Sequence, residues 1–265
     1  MSLPALPPAQ LDESFFRDRS ESDCIQDNGA FCLQWVLDNF SDRYVTPMLE
    51  HVVLVVVSVG LGFGIAFGMA LLSHRRRWLV PPLIGLTGVL YTIPSVAFFF
   101  LLLPITGRGT DTAIIALTAY TLQIIYRNIV AGLANVPAGP KDAGRGMGMT
   151  ARQLLWKVEL PLALPEIVAG LRIATVSTVA IATLAVFAGG GGLGTQILAG
   201  SAITFKTGIV VAGSLAIGMA VLFDVLLLLA QRRLIRWQQV SRADSSGGDG
   251  RFGDLLRRRP AWTGR

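Results

Sequence analysis

Few residues in this chain can do chemistry, and their settings limit what that chemistry is. Arg172 and Asp224 each lie inside a long apolar run. An unpaired charge in hydrocarbon costs a few kcal/mol or more, so each must face protein or water. Both sit at a similar depth from the ends of their runs, so they are placed to pair with one another or with a polar group such as Gln123. A second set is the polar stretch from Lys141 to Pro161, which interrupts the apolar runs in mid-chain. It carries small residues at Ala143, Gly144, Gly148 and Ala151 among Asp142, Arg145, Arg152, Lys157 and Glu159. A short helix with a small-residue face can sit in a partner's cleft without clashing. Pro161 is expected to end the preceding element and start the next, because proline is tolerated in a helix's first turn.

The residues argue against enzymatic chemistry. His51 and His74 are the only two histidines and fall at either end of one apolar run. No nucleophile–base set, carboxylate pair or metal cluster is discernible, so neither catalysis nor a metal site is expected. Cys24 and Cys32 fit no zinc spacing; they are either a disulfide or two small buried residues. Gly189-Gly190-Gly191-Gly192-Leu193-Gly194 lacks the Lys-Ser/Thr of a phosphate-binding loop, and no such loop occurs elsewhere. It reads as a flexible turn or a plain linker.

Composition supplies the frame. The 265 residues are 52% hydrophobic and 15% charged, against about 25% charged in soluble domains. Mean hydropathy is +0.56. The fold class is therefore an all-α integral membrane protein. The net charge of +6 does not imply nucleic acid, because the charges sit between apolar runs. Spans are predicted at about 49–72, 78–103, 112–134, 162–188 and 208–230. Pro94 should kink the second. Gly60, Gly64 and Gly68 recur every four residues in the first and should let helix backbones approach. Residues 1–48 form an N-terminal tail and an amphipathic lead-in helix lying at the surface, or a linker. Residues 49–232 form the membrane domain, with the polar loop at 139–161. Residues 233–265 read as a disordered basic tail.

Charge orients the five spans. Arg75 to Arg77, the loop with Lys141, Arg145, Arg152 and Lys157, and Arg232, Arg233 and Arg236 all fall on one side. The positive-inside rule places that side in the cytoplasm, with the C-terminus, and the N-terminus outside. If the lead-in helix crosses, the N-terminus moves inside but the loop does not.

The loop resembles the "EAA" signature of permease subunits of binding-protein-dependent ABC importers: Glu-Ala-Ala, three residues, Gly, nine residues, Ile, one residue, Leu-Pro. Asp142-Ala143-Gly144 stand for the first three, Gly148 for the Gly, Val158 for the Ile, and Leu160-Pro161 for the end. Asp for Glu, Gly144 for Ala and Val for Ile are departures within intact spacing. Met149 belongs to the same stretch. The resemblance implies five core spans of the type I permease fold and a cytoplasmic coupling helix that docks on an ABC ATPase subunit. It also implies a second permease subunit, an extracytoplasmic solute-binding protein, and surrounding lipid in the plasma (inner) membrane. ATP and Mg²⁺ would be held by the partner ATPase, and this chain would bind no cofactor. Thr92-Ile93-Pro94-Ser95, Gly146 to Thr150, Val158 to Pro165, Ala169 to Arg172, Gly191 to Gly194 and Asp27-Asn28-Gly29 are similar to the branch importing glycine betaine, choline and carnitine.

On that reading Arg172 and Asp224 are a structural clamp or take part in translocation. Tyr91, Pro94, Phe98 and Tyr120, with Phe99 and Phe100, either line the route or are packing. A cation–π contact suits a quaternary ammonium. An importer of amino acids from a sister branch shares much of the wording. An ion-coupled secondary transporter would show inverted repeats, and none is visible.

Overall fold

The computed structural model describes residues 24–234. The expected disordered tail lies outside the described residues except for Arg233 and Leu234, which are helical, and so does the first part of the N-terminal segment. Apolar runs fold as helices because hydrocarbon offers backbone N–H and C=O groups no other partner.

α1 (Leu33–Phe40) passes through a π turn at Ser41–Val45 into α2 (Thr46–Arg75). The whole is one helix of 43 residues, about 65 Å long at 1.5 Å per residue. The lead-in is therefore no separate surface helix but an extension of the first span. It is held from the side: Trp35 packs edge-on against Phe205 at 4.7 Å and Tyr44 at 6.5 Å between centroids. The wide turn ends two residues before Pro47. A proline has no N–H and crowds the carbonyl four residues back. A π turn moves that carbonyl aside.

The predicted second span is two helices, not one kinked helix. α3 (Val80–Thr92) and α4 (Ser95–Thr106) meet at 97°. Ile93, the residue before Pro94, is extended at φ −66°, ψ 127°, as crowding by the proline ring requires. At about 20 Å and 18 Å, neither half reaches across a ~30 Å hydrocarbon layer alone.

α5 (Thr110–Ala134) is the most buried of the apolar helices. It shares one apolar cluster with Leu54, Phe99 and Val179, and a second with Ala66, Leu160 and Ile167. α2 crosses it at Gly62, where a Cβ would come 1.7 Å from Thr121 Oγ1. The close-approach glycine is thus Gly62. Gly60, Gly64 and Gly68 are exposed with nothing within 4 Å of a built Cβ, so they do not mediate packing within this chain.

α6 (Ala138–Gly146) follows. Next, α7 (Ala151–Leu154), a π turn (Leu155–Glu159), α8 (Leu160–Ala182) and a 3-10 stretch (Thr183–Ala188) form one rod of 38 residues. Pro161 therefore separates nothing. As at Pro47, the π turn stops two residues short of it, and Leu160 N donates to Leu155 O, five residues back. α9 (Leu193–Ala202) follows the glycine run, and α10 (Lys206–Leu234) completes the bundle.

Candidate functional site

The polar segment makes a helix–turn–helix corner at the basic end of the bundle. α6 closes with Met149 N donating to Gly144 O at 3.1 Å and Gly148 N to Arg145 O at 2.9 Å. Gly148 sits at φ 76°, the left-handed turn that stops a helix and that glycine adopts without strain. Thr150 then starts α7 with a capping box: Gln153 N donates to Thr150 Oγ1 at 3.3 Å, and Thr150 N to Gln153 Oε1 at 2.9 Å. These bonds close the end of α6 and cap the start of α7 as the chain reverses.

The small residues do not share one outward face as expected. Gly144 points inward, where a Cβ would stand 2.7 Å from Leu154 Cδ1 and 3.4 Å from Met149 Sδ. Its smallness seats α6 on its own chain. Asp142, Ala143, Gly148 and Pro161 are exposed, Leu160 is buried and Met149 is half-buried. Met147, quoted for the branch resemblance but not among the expected docking residues, is 70% exposed at the corner. Asp142 accepts from Arg145 Nη1 at 3.1 Å. The exposed face of α6 is thus small, with one internally matched ion pair and one large apolar tip.

Behind this corner Arg172 and Asp224 meet. Arg172 Nε and Nη2 donate to Asp224 Oδ1 and Oδ2, each at 2.9 Å. This two-pronged geometry fits guanidinium to carboxylate. Arg172 Nη1 also reaches Gln231 Oε1 at 3.4 Å, and Gln231 Nε2 reaches Pro165 O at 3.4 Å. The group links α8 to α10. Gln123 takes no part: it accepts from Thr87 Oγ1 at 2.5 Å and ties α3 to α5.

Residues 60–239 match the protein family described as "Binding-protein-dependent transport system inner membrane component". The chain belongs to this family. It is 34% identical over 213 residues to the carnitine transport permease protein OpuCD of Listeria monocytogenes serotype 1/2a, covering 80% of this chain and 90% of that one. It is 38% identical over 208 residues to the choline transport system permease protein OpuBD of Bacillus subtilis, covering 78% and 87%. A solved structure of the MetNI methionine ABC transporter, inward facing, superposes with a TM-score of 0.61 at 24% identity, covering 77% of this chain and 96% of that one. At that identity the likeness shows the fold. The chain is thus a multi-pass permease of the type I importer fold, and membership implies a solute-binding protein and an ABC ATPase as partners.

The permease's aromatic cluster gathers at the broken span. Tyr120 lies edge-on to Tyr91 at 5.9 Å and to Phe98 at 5.7 Å. Its hydroxyl donates to Ile93 O, a carbonyl freed by the break at Pro94. Phe99 is fully buried and Phe100 half exposed, against Phe187 at 6.2 Å. Tyr120 therefore has a structural task that accounts for its placement.

At the other end the structure brings together residues the sequence reading left apart. Glu50 Oε2 accepts from Gly192 N at 2.8 Å, and His51 Nδ1 accepts from Leu193 N at 3.3 Å. His51 Nε2 lies 3.1 Å from Val179 O. His51 thus carries its proton on Nε2. Gly191 and Gly192 take φ of 76° and 80°, and a Cβ on Gly191 would stand 2.4 Å from Glu50 Oε2. The glycine run is therefore packed onto α2 rather than loose. Acid and imidazole beside a glycine-rich turn were the available signal, but the partners lie 142 residues apart. Cys24 and Cys32 form a disulfide. Asn28 Nδ2 donates to Thr204 O at 2.8 Å, and Asn28 Oδ1 accepts from Lys206 N at 3.2 Å, so the flagged Asp27-Asn28-Gly29 turn docks beside α10.

Proposed function

We propose that the chain is the membrane permease subunit of an ATP-driven importer for a quaternary-ammonium osmoprotectant such as glycine betaine, choline or carnitine. The observation that carries this reading is its 34% and 38% identity, over most of both chains, to permeases named for carnitine and choline. The basic end faces the cytoplasm, as the Arg and Lys distribution favours, and α6 is the coupling helix. Its exposed Asp142 and Ala143, with Met147 just after it, meet a groove of the ATPase, which holds ATP and Mg²⁺ and performs the hydrolysis. ATP binding favours one of two arrangements of the paired permeases, and the path alternates between inward and outward access. A second permease subunit supplies the other wall. The open Gly60, Gly64 and Gly68 stripe on α2 supports a close helix contact of that kind. The Arg172–Asp224 pair clamps α8 to α10 next to the coupling corner.

The test is co-purification of the complex with its binding protein, followed by thermal unfolding of that protein with candidate solutes. Ligand at a hundredfold over Kd stabilises by about 2.7 kcal/mol. Glycine betaine, choline or carnitine should raise the transition, and methionine or histidine should not. A rise with an amino acid alone would remove the osmoprotectant assignment and leave the permease assignment standing.

A further inference from the structure

A cavity of about 500 Å³ opens beneath α6, between the end of α2 and the start of α3. Its polar lining includes His74 from the α2 end, Arg77 from the 3-10 turn Arg77–Leu79 that follows, Lys141 and Arg145 from α6, and Glu159 from the π turn. Its wall is apolar, with Val80, Pro81 and Val130 among the lining residues. The charges do not cancel. Arg145 is matched by Asp142. Glu159 is 5% exposed, and its Oε2 lies 3.0 Å from His74 Nε2 without the alignment of a hydrogen bond. Lys141 Nζ has only the Leu133 carbonyl at 3.4 Å. Among the described residues the Arg77 side chain has no hydrogen bond or ion pair. Arg77 and Lys141 thus both line this cavity with most of their donor capacity unused. Trp78, beside Arg77, is 69% exposed, the setting in which tryptophan marks a membrane–water interface.

We propose that this cavity holds the phosphate headgroup of an anionic membrane phospholipid. Arg77 and Lys141 donate to the phosphate oxygens, and the first part of an acyl chain lies along Val80, Pro81 and Val130. Guanidinium and ammonium groups are the usual phosphate partners. Basic pockets between helices at the cytoplasmic face suit such headgroups. The apolar wall distinguishes a lipid from a free phosphate, which would leave that surface uncovered. The lipid would bridge the bundle to α6, so its occupancy would bear on the coupling corner. None of this depends on which solute is carried.

The test uses the purified full transporter complex in detergent, with phosphatidylglycerol titrated in and bound lipid counted by native mass spectrometry. Arg77→Gln should weaken retention about fivefold, the effect of one basic side chain near a lipid surface. Arg77→Lys should restore it. Arg76→Gln removes the same charge one residue away, outside the cavity, and should change nothing. Arg77 has no side-chain partner to lose, so thermal unfolding should stay at the unmodified value and separate binding from folding. Equal losses from Arg76→Gln and Arg77→Gln would overturn the proposal in favour of diffuse attraction. So would displacement of the lipid by inorganic phosphate at comparable concentration, which would make the ligand a soluble phosphate. Release of the ATPase by Arg77→Gln with lipid retention unchanged would overturn it too, and would make the cavity part of a protein interface.

Discussion

The two ends of the permease use glycine for opposite purposes. At the basic end Gly144 is small so that α6 can settle onto Leu154 and Met149, leaving the other face of α6 open. At the opposite end Gly191 and Gly192 are small so that a loop can be drawn down onto Glu50 and His51, and little polar backbone there is left open. At one end the missing Cβ leaves a helix face open, and at the other it lets one loop close onto α2. The lesson is that a glycine's role follows from what its missing Cβ would strike, not from its spacing along the helix. Gly60, Gly64 and Gly68 have the regular spacing and strike nothing, whereas Gly62 carries the helix crossing.

The comparison can be broken most severely at the pair behind the basic end. Arg172→Met leaves Asp224 without its two-pronged partner, so purified protein should lose thermal stability and uptake together. The double change Arg172→Met with Asp224→Leu should recover stability, because removing both charges is better tolerated than stranding one. If uptake stays lost when stability returns, the pair does more than clamp.

A side chain at Gly144 comes next. Gly144→Val forces an overpacked contact with Leu154, typically costing ~1–3 kcal/mol. ATPase co-purification and uptake should fall by more than stability does, since α6 is pushed out of register. Full ATPase association in this variant would sever α6 from the docking role.

Glu50→Ala sharpens the contrast from the opposite end. It leaves the Gly192 N–H without its charged acceptor, a loss of ~1–3 kcal/mol. Melting should move down, with ATPase association unchanged. The smallest effect is expected at Thr150→Ala, where loss of a helix cap costs about 1 kcal/mol. Faster hydrogen exchange confined to α6 and α7 would be its signature.

How much of this was legible in the sequence divides along the same line. Local features were readable: the apolar helices, the spacing from Asp142 to Pro161, and opposite charges at similar depth in Arg172 and Asp224. The capping box of Thr150 and Gln153 and the stop at Gly148 were also readable in principle, because they lie within six residues. The break at Pro94 was legible as a bend but not in size: at the 97° turn the Ile93 carbonyl is caught by Tyr120, 27 residues away. The Glu50 and His51 latch was not legible, because hydrogen bonds over 142 residues leave no periodicity. Nor was the inward aim of Gly144, which only the position of Leu154 fixes.

The wide turn before Pro161 has a mechanical meaning. The sequence suggested a joint at this proline, yet the 38-residue rod from Ala151 to Ala188 runs through it. A displacement of the Ala151 end would therefore tilt the whole rod like a crank, not swing it like a hinged door. The stretch Leu155–Glu159 is under-wound relative to the α-helix on either side, with the Leu160 N–H bonding the Leu155 carbonyl five residues back.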